Sequence, residues 1–239
     1  MTALDAWSSV AVDPARLAAR ECRALLDVLV GRPAGGGVVA VVSACRGEGR
    51  STVAAGLALA LAHEGGGRVL LLDLDLDRPA QAARFGVAGD PGVRDCLDAY
   101  QDLGSVTATI TLNLSLASPG SGDAVASLDL LNGVVDRGLF DECRAAFTWT
   151  VVDLPPILDA PGVARVAARS DEWLLVGRYR SSRVEAMLRA AALLPTPPLG
   201  CVMTADASPV PAWIGRLGRG RTARLPACAG VDGPPRTAG

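Results

Sequence analysis

Two hydrophobic rhythms run through this chain. Val38-Val39-Ala40-Val41-Val42 is an unbroken apolar run with glycines before it and a polar loop after it, the pattern of a central parallel strand buried on both faces. The loop from Ser43 to Gly49 and a helix from Ser51 to Glu64 complete a strand-loop-helix unit. The same rhythm returns with strands at Arg68 to Leu74, Leu112 to Ala117, Trp149 to Leu154, Glu172 to Val176 and Leu199 to Met203. Repeated units of this kind predict a parallel sheet with right-handed crossovers. Upstream, residues 14 to 30 put apolar side chains at helical spacing behind Pro14, a residue suited to a first turn. Beyond Ala205 the chain turns to Pro, Gly and Arg, and Ala227 to Gly239 holds too little apolar content to pack. The pattern predicts a flexible start over 1–13, one domain over 14–205 and a largely disordered tail over 206–239.

Composition sharpens this picture in three ways. A chain of 239 residues suits one doubly wound α/β domain, and its 50% hydrophobic but 4% aromatic content calls for a core of Ala, Val and Leu. A net charge of -2 supplies no broad field for a polyanion, so no specific nucleic-acid partner is expected. Six cysteines without a C-x-x-C pair, and one histidine (His63), argue against a zinc site or a disulfide framework. No basic segment leads into an apolar stretch at the start, and no apolar run reaches the length that a bilayer requires, so a cytoplasmic protein is expected. All 23 basic residues are Arg, a bias that matters at one position.

That position lies in the first of three constellations. Ser43-Ala44-Cys45-Arg46-Gly47-Glu48-Gly49-Arg50-Ser51-Thr52 joins a strand to a helix start, the order in which loop and helix N–H groups cradle phosphate. Gly47 and Gly49 allow the close approach, and the Ser51 hydroxyl suits Mg²⁺. The usual pattern, G-x-x-x-x-G-K-[ST], is departed from twice: Ser43 or Ala44 replaces the first glycine and Arg50 replaces the lysine. A forked guanidinium keeps the attraction for phosphate while displacing the compact charge needed during transfer. The plainer reading is a strand-helix turn that happens to carry glycines.

The second constellation, Leu70-Leu71-Leu72-Asp73-Leu74-Asp75-Leu76-Asp77-Arg78-Pro79, ends a strand in carboxylates two apart, which puts Asp73 and Asp75 on one side. One suits Mg²⁺ and the other a base, while Asp77 reads equally well as turn chemistry. The third, Val151-Val152-Asp153-Leu154-Pro155-Pro156, delivers Asp153 to the same sheet edge, where it suits the Mg²⁺ shell.

Taken in order with Asp90-Pro91-Gly92-Val93-Arg94-Asp95-Cys96-Leu97, these motifs resemble the bacterial tyrosine kinase family. Its members are cytoplasmic ATPase partners of capsule and exopolysaccharide chain-length regulators, built on the MinD/ParA type of P-loop fold. The resemblance spans about residues 14 to 204. It implies a mostly parallel doubly wound sheet flanked by helices, with ATP and Mg²⁺ as cofactors. Arg46, Gly47, Glu48, Gly49, Arg50, Ser51 and Thr52 would surround the phosphates. Arg50, Asp73 and Asp75 would be catalytic, and Ser51, Asp73 and Asp153 would serve the metal. It also implies a membrane-embedded chain-length regulator as partner, placement at the inner face of the cell membrane through that partner, and leaves a homo-oligomer open.

Three departures accompany the resemblance. The only tyrosines are Tyr100 and Tyr179, so the tyrosine-rich tail that the family phosphorylates is missing. The family's E-x-x-R-x-x-R assembly helix reads here as Arg20, Arg23 and Leu26. Thr204 replaces the asparagine that follows the last strand and contacts the base. Those in the tail and the assembly helix, together with Arg50 in the phosphate loop, imply a divergent or catalytically reduced member. A partitioning or positioning ATPase of the MinD/ParA type is the alternative, although Ala44 and Cys45 stand where that group carries its signature lysine; a nucleotide-free scaffold is another. The basic segment from Trp213 to Arg224 suits either a membrane surface, an acidic partner or a solvated tail.

Overall fold

A computed structural model describes residues 36–64, 67–99, 102–121 and 124–204, with Cys22, Leu26 and Leu29 before them. These residues all fall in one compact unit that ends at Asp206. The flexible start expected over 1–13 and the tail expected over 206–239 lie outside the described residues, as do Arg20 and Arg23.

Seven strands form one sheet: β1 (Gly37–Ser43), β2 (Val69–Asp73), β3 (Thr107–Thr109), β4 (Leu114–Ala117), β5 (Trp149–Asp153), β6 (Glu172–Arg178) and β7 (Gly200–Thr204). Their spatial order is β3-β4-β2-β5-β1-β6-β7, and every neighbouring pair is parallel except β3 with β4. The helices are α1 (Arg50–Glu64), α2 (Gln81–Phe85), α3 (Val93–Ala99), α4 (Ala124–Asp136), α5 (Leu139–Ala146), α6 (Val163–Ala167) and α7 (Val184–Ala192).

The unbroken apolar strands are buried on both faces because side chains alternate across a strand. Val38, Ala40 and Val42 of β1 join Leu72, Val152 and residues of α4, α5 and α6 in one core layer. Val39 and Val41 join Leu71, Val151 and the inner side of α1 in the other, with Cys22, Leu26 and Leu29. Leu26 is 3% exposed, so the assembly-helix register places a core residue at that position.

Two departures from the expected strands have local causes. The antiparallel β3 is a three-residue edge strand, too short for its alternation to register in the sequence. The strand expected from Leu112 starts instead at Leu114, because Thr111 to Leu114 forms the hairpin turn from β3: the Leu114 N–H donates to Thr111 Oγ1 at 3.1 Å, and Leu112 sits 96% exposed at the tip. The order places β1, β2 and β5 side by side with their C-terminal ends on one edge, where open α/β sheets bind ligands.

Candidate phosphate-loop site

The loop after β1 turns through two left-handed glycines, Gly47 with φ 79° and Gly49 with φ 88°, and enters α1 at Arg50. The Gly49 carbonyl accepts the Thr52 and Val53 N–H groups, both at 3.0 Å, so the helix starts here. Ser43, Arg46, Gly47, Glu48, Gly49, Arg50, Ser51, Thr52, Asp75, Arg78 and Pro156 enclose a cleft of about 270 Å³ over the helix N-terminus.

The loop is braced from outside. The Glu48 carboxylate accepts the Cys45 N–H at 2.9 Å and the Ser182 hydroxyl, so its charge is used within the protein. The Thr204 hydroxyl donates to the Glu48 carbonyl at 2.7 Å, and an Arg178 Nη1–H donates to the Gly47 carbonyl at 3.1 Å. At Thr204 the structure therefore shows a strut under the loop. Behind it, the Ile157 N–H donates to the Ser43 carbonyl at 3.0 Å, tying the segment after Pro155-Pro156 to the same loop.

Arg50 decides the electrostatics. It is 7% exposed, and its Nε–H donates to Asp153 Oδ1 at 2.8 Å while Nη2–H donates to Asp75 Oδ2 at 2.7 Å. Nη1 reaches the Ser43 hydroxyl at 3.4 Å. Burial works against its charge, but Asp153 and then Asp75, through charge and hydrogen bonds, hold its pKa above the usual arginine value. One guanidinium thus bridges the ends of β2 and β5.

The carboxylates are correspondingly committed. Asp73, 0% exposed, accepts the Asp75 N–H at 3.1 Å on one oxygen, and on the other the Ala80 and Gln81 N–H groups at 3.2 and 3.1 Å. Burial, and next the charge of Asp153 paired beside it in the sheet, pushes its pKa up to about 8, against the pull of those three N–H donors. Asp75 Oδ1 accepts the Arg78 N–H at 3.2 Å. Asp153 Oδ2 accepts the Gln81 side-chain amide at 2.7 Å.

The structure therefore gathers all the expected residues at one sheet edge but divides them. Arg46, Gly47, Glu48, Gly49, Arg50, Ser51, Thr52 and Asp75 line the cleft, whereas Asp73 and Asp153 lie behind Arg50 and do not. The expectation that Asp73 serves a metal or acts as a base meets a carboxylate turned to the backbone, because β2 ends there and the chain folds over it into α2. The loop fits phosphate. A Mg²⁺ ion held directly through these carboxylates does not fit: the Arg50 guanidinium is already seated on Asp75 and Asp153, Asp73 and Asp153 do not line the cleft, and no cluster of His, Cys, Asp or Glu among the described residues suits a metal. Of the expected metal residues, Ser51 alone lines the cleft.

The sequence reading missed Gln81, which also donates to the Ser51 carbonyl at 2.9 Å and so joins loop, β5 and α2. Nothing marked it apart from its place just past Pro79. Gln81→Leu is expected to cost about 1–3 kcal/mol in urea denaturation, because Asp153 and the Ser51 carbonyl each lose a buried donor.

No family model matches this chain. Among curated relatives, tyrosine-protein kinase EpsB of Ralstonia solanacearum is 32% identical over 171 residues, 71% of this chain and 22% of the relative. Tyrosine-protein kinase YwqD of Bacillus subtilis is 30% identical over 169 residues, 69% of this chain and 70% of that protein. The chain belongs to the bacterial tyrosine-kinase family. Another relative, the succinoglycan biosynthesis transport protein ExoP of Rhizobium meliloti, is 31% identical over 175 residues, 70% of this chain and 22% of its own length. The chain therefore spans about a fifth of the length of EpsB and ExoP. Within the family, the solved kinase domain of VpsO superposes with a TM-score of 0.73 at 27% identity, covering 80% of this chain and 96% of that domain. The cell division ATPase MinD of Pyrococcus furiosus shares the fold, with a TM-score of 0.56 at 24% identity over 70% of this chain and 71% of that one.

Proposed function

We propose that this chain is a nucleotide-binding, kinase-like regulator of exopolysaccharide or capsule assembly that acts with a membrane-embedded chain-length regulator, and that its phosphoryl transfer is reduced. One observation carries the reading: Gly47 and Gly49, in left-handed conformations, open a cleft over the N-terminus of α1 with ordered carboxylates behind it. The ligand that suits this cleft is ATP or ADP, with the loop and helix N–H groups on its phosphates. The polysaccharide role follows the likeness to ExoP, and the partner is proposed with it. No helix among the described residues is long and apolar enough to cross a membrane.

Reduced transfer follows from Arg50. A P-loop lysine is free to follow charge between the β- and γ-phosphates, whereas this guanidinium is tied to Asp75 and Asp153. Residues 205–239 contain no tyrosine to receive a phosphoryl group. Ala44 and Cys45 stand in the region where partitioning ATPases carry their signature lysine, and neither side chain has a cationic form, so no compensating charge is brought there.

Calorimetric titration with ADP and ATP, alongside an assay of released phosphate, tests the reading. Saturable binding with phosphate release at background is expected. Turnover comparable to an active P-loop ATPase would overturn the reduced-transfer part, and absence of binding would leave a nucleotide-free scaffold.

A further inference from the structure

The site has a cation of its own where a phosphate loop ordinarily works with lysine and a divalent metal. We propose that it holds the phosphates of a nucleoside di- or triphosphate without a divalent cation, with Arg50 as a fixed internal cation and Arg78 as the mobile one. The inference rests on the nucleotide reading above.

Three observations carry it. The carboxylates of Asp75 and Asp153 meet one guanidinium at 2.7 and 2.8 Å, so a metal would have to compete with a cation already seated on both. A guanidinium carries five N–H groups. Nε, Nη2 and Nη1 of Arg50 each direct one inward, to Asp153, Asp75 and Ser43, which leaves two on a side chain that lines the cleft.

Arg78 supplies the second part. Its backbone N–H is fixed on Asp75 Oδ1, which seats the residue at the cleft, while its guanidinium is exposed and makes no ion pair or hydrogen bond among the described residues. It is thus available to a phosphate at no loss of an internal contact. Arg46 also lines the cleft, in an ion pair with Asp77 at 3.1 Å whose side chains are each 36% exposed. Such a surface pair is weak enough to exchange for phosphate. Metal-free phosphates carry more negative charge than their magnesium complexes, and these arginines are the groups that meet it.

The test is calorimetric titration of the full chain with ADP and ATP, once in excess EDTA and once in excess Mg²⁺. Affinities that agree within about threefold between the two media are expected. Arg78→Ala should weaken binding in EDTA by about tenfold, without changing the melting temperature, because its exposed guanidinium makes no ion pair or hydrogen bond among the described residues. In Arg50→Lys a single ammonium cannot span both carboxylates, so a gain from Mg²⁺ of about tenfold should appear in ATP binding. Binding by the natural chain only with Mg²⁺, or tightened by it about tenfold or more, overturns this inference and leaves the nucleotide reading standing. An Arg78→Ala variant that binds like the natural chain removes the role given to Arg78. Binding in neither medium removes the nucleotide reading, and the inference with it.

Discussion

Replacing Arg50 with Met is expected to destabilise the fold by about 3–5 kcal/mol, the range for breaking a buried ion pair and leaving its partner uncompensated. Asp75 and Asp153 are 4% and 0% exposed, and each gives one carboxylate oxygen to Arg50. Met keeps the apolar stem as far as the position of Nε and removes the charge, and the Asp75→Asn members of the cycle separate the clamp from the packing lost with the guanidinium. The double variant with Asp75→Asn should recover part of the loss, since one of the two stranded charges is gone. Urea denaturation of the four members of this cycle measures the coupling. A loss below about 1 kcal/mol would mean that the guanidinium does not bridge the two carboxylates. The position is ordinarily read for its part in phosphate chemistry. Here it also joins the ends of two central strands.

Gly49→Ala is expected to abolish measurable nucleotide binding and to cost about 2–5 kcal/mol of stability. A side chain at φ 88° brings strain of roughly 1–2 kcal/mol. A Cβ there would also lie 2.8 Å from Thr204 Cγ2 and 3.0 Å from its hydroxyl, which is itself held by the Glu48 carbonyl. Either the loop or the end of β7 must then shift, and overpacking of this kind adds about 1–3 kcal/mol. Gly47→Ala provides the contrast: its φ of 79° is similar, yet nothing lies within 4 Å of the added carbon, so only the strain remains. Thr204→Ser keeps the strut and removes the methyl, and should restore part of the loss in Gly49→Ala. Thermal melts and ADP titrations of the three loop variants check this. Equal effects at Gly47 and Gly49 would show that Thr204 does not press on the loop.

Much of the fold was legible in the chain because its signals are local. Val38 to Val42 and Val69 to Leu72 are apolar without interruption, and a strand buried on both faces requires that. The glycines of the phosphate loop stand where a strand meets a helix start, so the conformation they permit could be read from spacing. Thr107 to Thr109 was not legible, because three edge residues carry no usable alternation.

The site was legible in its membership and not in its wiring. The sequence determined that Arg50, Asp73, Asp75 and Asp153 reach one edge of the sheet, since each ends or follows a recognisable strand. Only the tertiary structure decided which carboxylates the guanidinium holds, that Asp73 turns to the backbone at the start of α2, and that Gln81 completes the shell of Asp153. Arg50 is 25 residues from Asp75 and 103 from Asp153, and these groups meet through the pairing of β2 and β1 with β5. Local propensity chooses strands and loops, whereas the partner of a buried charge is chosen by sheet register and by the cost of leaving that charge unpaired.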